Sequence, residues 1–281
     1  MKRCKLPTLR LLACLSVISM SVAFSKEITE HKRSFYEAHT KASVFTDARG
    51  QTMPYRLFVP RDIQPGERVP LLLSFHGAGS RGRDNRKHLR PWVAGWLAQE
   101  VQKEHPCIIL MPQCPAGQRW VETPWGRGAY SFSRMPVSNP MKLAKAIFDK
   151  VLKEEPVDPS RIYVMGASMG GYGTWDFVMQ YPGLVAAAVP ICRGGDPAMA
   201  DAIKDVPLWA FHGTRDNVVP PAGSQDMIEA IKNAGGTQAK LTLYPGVKHG
   251  SYERAWREPS LIDWLFKQKT KDGRLNVGGG E

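Results

Sequence analysis

Residues 166–170 read GASMG, a serine set between two glycines. A serine hydroxyl is a poor nucleophile until an imidazole takes its proton. That imidazole needs a carboxylate to fix its tautomer and stabilise its charged form. The G-x-S-x-G pattern alone is weak in a chain with 26 glycines, but its context is specific. The apolar run RIYVM precedes it and GGYG follows. Small residues therefore flank the point where a strand must turn sharply into a helix and lift the Ser168 hydroxyl clear of the backbone.

Two later segments supply the partners in the order serine, aspartate, histidine. HGTRDNVVP follows the run PLWAF and carries Asp216 in the next loop, and YPGVKHGSY follows LTLY and carries His249. Other candidates fit less well. Asp205 precedes a strand, Asp226 falls within a predicted helix, and Asp196 suits the cap of a helix starting at residue 197. His212 precedes Gly213 at a strand end and reads as a packed structural ring, while His31, His39, His88 and His105 lie on polar segments. The trio also needs two backbone N–H donors aimed at the oxyanion of a tetrahedral intermediate. The residue after the nucleophile, Met169, supplies one. The second is expected in the loop HGAG after the strand LLLSF, at Ala78 with Gly77 next, where small residues let the backbone approach a substrate. No CxxC or His-rich spacing supports a metal site, and the trio requires no cofactor.

Side chains so far apart in sequence can meet only where several strands end together. Apolar runs alternate with helix-period segments, the pattern of a mostly parallel sheet covered by helices on both faces. A first hairpin is expected in SVFTDARG and QTMPYRLFVP. Six further strands follow in VPLLLSFHG, PCIILMPQC, RIYVMGAS, LVAAAVPIC, VPLWAFHG and AKLTLYPG, giving eight. Helices are predicted near 91–104, 139–154, 169–181, 197–204, 221–234 and 260–269. In the second of these, Leu143, Ile147 and Val151 form one apolar stripe. Right-handed crossovers in such a sheet place the strands' C-terminal ends on one edge, and ligands bind outside that edge.

The 281 residues, 43% hydrophobic and 23% charged, fit one globular domain with no internal repeat. Residues 1–23 read as a secretory signal peptide: Lys2, Arg3, Lys5 and Arg10 precede a short apolar run that ends in Ser21-Val22-Ala23. Secretion or periplasmic export follows, with no stable membrane association after cleavage near Ala23. Residues 24–40 form an N-terminal extension, with 24–41 expected extended or frayed; 41–270 form the catalytic domain and 271–281 a flexible tail. The net charge is +12, of which the leader carries four, leaving +8. These charges are spread along the chain without aromatic interleaving, which argues against nucleic acid as a partner. One cluster, Arg81, Arg83, Arg86, Lys87 and Arg90, could steer an acidic substrate or serve surface solubility. Cys107, Cys114 and Cys192 remain after the leader, so at least one thiol is unpaired within the chain, and the strand between Cys107 and Cys114 holds those two too far apart to bridge.

Together, VPLLLSFHGAGSRGRDN, MPQCP, GASMGGYGTWDFVMQYP, VPICRGGD, WAFHGTRDNVVP and YPGVKHGSY resemble the α/β-hydrolase superfamily, over about residues 40–268. More narrowly, they resemble secreted carboxylesterases related to feruloyl esterases and polyhydroxybutyrate-depolymerase-like enzymes. The resemblance implies an α/β-hydrolase fold, a Ser168, Asp216, His249 triad and an oxyanion hole near Ala78 and Met169. One departure is Gly250 after the histidine, where the narrower group often has an acidic residue.

The short stretch after Cys192 leaves no room for a large cap domain, so the cleft is expected to be open. The connection 112–139 is long enough to be functional and carries Trp120, Trp125, Tyr130 and Phe132. Trp125, Trp120 and Tyr130, with Gly77, are candidate substrate contacts for an aromatic acyl group or a sugar ring; the alternative is that the rings anchor the loop to the core. The expected activity is a secreted serine carboxylesterase acting through an acyl-enzyme on feruloyl or acetyl esters, with a polysaccharide-linked ester as substrate partner. Alternatives are a polyester depolymerase, a prolyl-oligopeptidase-like peptidase or a non-catalytic binding module.

Overall fold

In the computed structural model, residues 34–90, 95–124 and 130–270 are described. The leader at 1–23, the extension up to residue 33, Trp125 and the tail 271–281 lie outside the described residues. Among the described residues, the eight strands are β1 (Lys41–Thr46), β2 (Thr52–Phe58), β3 (Val69–Phe75), β4 (Ile108–Pro112), β5 (Val157–Ala167), β6 (Ala187–Ile191), β7 (Leu208–Gly213) and β8 (Ala239–Tyr244). They form a single sheet in the order β1-β2-β4-β3-β5-β6-β7-β8. β1 pairs antiparallel with β2, and β2 antiparallel with β4; every pairing from β4 to β8 is parallel. The eight-stranded, mostly parallel sheet expected from the sequence is therefore present.

Side chains alternate across this sheet, and both faces are covered, which explains why its central strands are apolar at nearly every position. Leu71, Leu73 and Phe75 of β3 pack into one core while Leu72 enters the other; Leu208 and Ala210 of β7 likewise oppose Trp209 and Phe211. Three long helices cover the first face: α1 (Asn139–Glu154), α2 (Met169–Gln180) and α3 (Ala222–Asn233). α1 starts where Ser138 Oγ accepts from Met141 N–H at 3.1 Å, and its stripe Leu143, Ile147 and Val151 is buried. The short helices Gln99–Glu104 and Leu261–Phe266 lie nearer the second face, where Leu261 and Leu265 enter the core.

Two expectations need correction. Residues 34–39 are helical rather than extended. Tyr36 is buried in the second core, Glu37 pairs with Arg86, and Thr40 Oγ1 donates to Tyr36 O at 2.6 Å. An apolar anchor and a cap thus fix a segment whose mixed charge reads as frayed. The candidate substrate contacts Trp120 and Tyr130 are also core residues. Trp120 is fully buried and its Nε1–H donates to His76 O at 3.0 Å. Tyr130 is buried and donates to Asp176 Oδ1 at 2.8 Å. A buried indole or phenol needs a partner for its polar end, and here the backbone and a carboxylate supply it. These rings anchor the connection rather than face a cleft.

Candidate active site

The parallel strands end at one edge, and the residues singled out in the sequence lie there. β5 ends at Ala167, and Ser168 takes φ 58 and ψ −119, a left-handed conformation that costs strain in a residue bearing a Cβ. The glycines around it fit because nothing larger could. A Cβ on Gly170 would lie 2.0 Å from Phe75 O, and one on Gly166 would lie 2.4 Å from Gly170 O. The turn brings α2 hard against the end of β3, and Ser168 N–H donates to Ile191 O at 3.0 Å.

The loops after β7 and β8 are zipped to each other. Thr214 N–H donates to Tyr244 O at 3.1 Å, Arg215 N–H to Val247 O at 2.9 Å, and Gly246 N–H to Thr214 Oγ1 at 2.9 Å. Gly213 permits this approach, since a Cβ there would sit 2.3 Å from Val247 O. The outcome is a line of hydrogen bonds. His249 Nε2 lies 2.9 Å from Ser168 Oγ, and His249 Nδ1 lies 2.8 Å from Asp216 Oδ2. Asp216 Oδ1 accepts from the N–H groups of Val218 and Val219, both at 2.9 Å. Burial of Asp216 would raise its pKa. Hydrogen bonds from His212, His249, Val219 and Val218 outweigh that and hold the carboxyl well below the usual carboxylate range. The carboxylate is therefore charged, while the imidazole is partly open to solvent with its side chain 23% exposed.

The loop after β3 also approaches Ser168. Gly77 precedes the short 3₁₀ turn Ala78–Ser80, and a Cβ on Gly77 would be 3.8 Å from Ser168 Cβ, so this backbone runs close to the nucleophile. The N–H of Met169, first in α2, has no intrahelical partner by position. Three groups brace the loop. His76 Nδ1 lies 2.8 Å from Gly77 O and is its donor, while His76 Nε2 accepts from Cys114 N–H at 2.9 Å. Burial lowers the His76 pKa to about 4, so the ring is neutral. Arg81 Nε donates to Ala78 O at 3.0 Å and Trp120 Nε1 to His76 O. Arg83 donates to Thr52 Oγ1, Arg86 pairs with Glu37 and Lys87 with Asp84, so much of the basic cluster holds the loop in place.

Two histidines join this constellation beyond the trio. The sequence offers His76 only as part of HGAG. His212 is the packed structural ring the sequence predicts, and its fully buried ring also sits with Nε2 3.2 Å from Asp216 Oδ2. The signal that could have found His212 is its spacing: a histidine at the end of β7 and an aspartate four residues on meet when the intervening chain is a tight turn. Asp196 caps its helix as expected, accepting from Ala198 N–H, and also receives Phe132 N–H at 2.7 Å. Between β6 and β7 the chain forms only the short turns Pro197–Met199 and Ala200–Ile203, and no cap domain stands there. Among the described residues, one trio could ligate a metal: Cys192, Asp216 and His249, with ligand atoms within 4.8 Å of one another. Two of the three already bond to each other.

A family profile described as the dienelactone hydrolase family matches residues 130–260. The bifunctional acetylxylan esterase/xylanase XynS20E of Neocallimastix patriciarum is 25% identical over 174 residues, covering 61% of this chain and 22% of that protein. Feruloyl esterase B of Piromyces equi is 25% identical over 210 residues, covering 70% of this chain and 34% of its own length. The chain thus spans about a fifth to a third of these curated relatives. A crystal structure described as a thermostable esterase superposes with a TM-score of 0.77 at 36% identity, covering 84% of this chain and 64% of that one.

Proposed function

Because this chain has the α/β-hydrolase fold, we infer that it is a serine esterase hydrolysing carboxylic esters through an acyl-enzyme. The observation that carries this reading is the unbroken line from Ser168 Oγ through His249 to Asp216, at 2.9 and 2.8 Å. Ser168 Oγ attacks the ester carbonyl while His249 Nε2 takes its proton. Charged Asp216 stabilises the imidazolium, and the N–H groups of Ala78 and Met169 receive the oxyanion. His249 then returns the proton to the leaving alcohol, which departs as the acyl-enzyme forms. Water attacks the acyl-enzyme with His249 again as base, releasing the acid and restoring Ser168.

Feruloyl or acetyl esters on plant polysaccharides are the proposed substrates. The names of two relatives support this choice, as does the absence, among the described residues, of a helical cap between β6 and β7 that would bar a polymer. Trp125 remains the proposed ring contact for the acyl group. Export with cleavage near Ala23 is proposed from the sequence of the leader, and N-terminal sequencing of the exported protein, expected to begin near Phe24, tests it.

The activity is tested with a fluorophosphonate probe and a panel of methyl ferulate, nitrophenyl esters, polyester film and peptide amides. Labelling that vanishes in Ser168→Ala, with turnover of the ferulate or acetate, is expected. Turnover confined to polyester or to amides would replace the substrate assignment, and the absence of both labelling and turnover would overturn the enzyme reading itself.

A further inference from the structure

Oδ2 of Asp216 is shared between two imidazoles: His249 Nδ1 at 2.8 Å on the cleft side and His212 Nε2 at 3.2 Å on the interior side. His212 lies at the end of β7, opposite Leu243 of β8, and its ring is fully buried. Its second neighbour at Nε2 is Val219 O, also at 3.2 Å. Both neighbours are acceptors. A bare nitrogen lone pair there would face a carboxylate and a carbonyl with nothing between, so Nε2 carries the proton and donates.

The other ring nitrogen fixes the ring's orientation. His212 Nδ1 lies 2.8 Å from Ser224 Oγ on α3. Ser224 Oγ–H donates to Arg193 O at 2.8 Å, and the same carbonyl also receives Trp175 Nε1–H at 2.9 Å, since a carbonyl oxygen accepts twice. The serine oxygen is thus tied in place as the partner of Nδ1 and holds the ring with Nε2 on the Asp216 side.

From this geometry we propose that His212 is a positioning residue of the triad: its Nε2–H fixes the Asp216 carboxylate and draws off part of the charge that would otherwise act on His249. The inference rests on the serine-esterase reading given above. With the donor removed, two effects follow. The carboxylate loses one of its restraints, so His249 is aimed less well and kcat falls. The remaining charge also bears more fully on His249, stabilising its protonated, inactive form, so the acidic limb of kcat/KM moves to higher pH.

Other ionisable groups around the pair do not produce that movement. At the exit of β6, burial pushes the Cys192 thiol up to about 12, so it stays neutral across the limb, and Arg193 beside it stays charged throughout. Arg215 and Lys248, in the two loops themselves, are exposed, so solvent screens their effect on the pair.

The test compares His212→Leu, which fills the space without a donor, with His212→Gln, whose amide N–H can reach the same oxygen, using nitrophenyl acetate hydrolysis and fluorophosphonate labelling across pH. For His212→Leu, kcat is expected to fall roughly ten- to hundred-fold with KM little changed. Its acidic limb is expected about half a pH unit or more higher. His212→Gln restores most of kcat and returns the limb. Ser224→Ala, which removes the partner of Nδ1 and so loosens the ring, gives a smaller shift in the same direction and serves if His212→Leu does not fold. An unmoved limb in His212→Leu, or in Ser224→Ala where it stands in, overturns the proposal, as does equal loss in the leucine and glutamine variants. A wild-type protein that neither labels nor turns over ester refutes instead the underlying esterase reading.

Discussion

Gly170→Ala isolates the packing that builds the nucleophile turn. The added Cβ would lie 2.0 Å from Phe75 O, 2.6 Å from Phe75 C and 3.1 Å from His76 C, all backbone atoms. β3 is hydrogen-bonded between β4 and β5, so it cannot recede. Relief must come from α2 moving outward and carrying Ser168 with it. Overpacking in a core costs about 1–3 kcal/mol and more where the neighbour is rigid, while the alanine recovers up to about 1 kcal/mol of helix propensity. At the upper end of that range, a net loss of about 2 kcal/mol corresponds to a Tm lower by roughly 4–8 °C for a domain of this size. Gly183→Ala is the control, since a Cβ there meets nothing within 4 Å. Thermal unfolding of both variants, with the rate of fluorophosphonate labelling, reads the effect. A Gly170→Ala protein melting within about 2 °C of the control and labelling at the same rate would show that the strand and helix are not wedged as described.

Because the oxyanion donor at residue 169 is a backbone group, Met169→Ala should keep most of the ester turnover that Ser168→Ala abolishes; equal losses in kcat would contradict the role given to that N–H. Asp176, buried beside Tyr130, has its pKa raised by burial to about 6 from the ordinary 3.8. The native state therefore holds this proton more tightly than the unfolded chain, and the group's contribution to stability declines as pH rises from about 4 to 6, by about 2–3 kcal/mol. In urea titrations, Asp176→Asn should flatten that part of the profile, and an unchanged pH dependence would show that the carboxyl titrates normally. Cys107, Cys114 and Cys192 are free and buried, and burial raises the pKa of each thiol. None of the three should react with a thiol-specific disulfide reagent until the protein is unfolded; rapid labelling of Cys192 in the native state would mean that the interior behind the triad opens.

The sequence by itself carried the order of the elements and the identity of the trio. Its parallel strands are buried on both faces and so read as continuous apolar runs, and a nucleophile turn leaves glycines at fixed offsets because no other residue fits. Loops after β7 and β8 pointed to Asp216 and His249 since every parallel strand delivers its exit loop to the same edge. What the sequence could not decide was where partially polar side chains point. Trp120 and Tyr130 look like cleft aromatics in a long loop, yet the fold spends their polar ends on His76 O and Asp176. The helical turn at 34–39 is fixed by one buried ring and contacts to distant residues, which local composition does not encode. His212 differs from any other strand-end histidine only through the curl of residues 213–219, which returns Asp216 to its ring. Chain direction and periodicity are local properties of a sequence, whereas the facing of two side chains across a turn depends on backbone angles and on neighbours set by the whole fold.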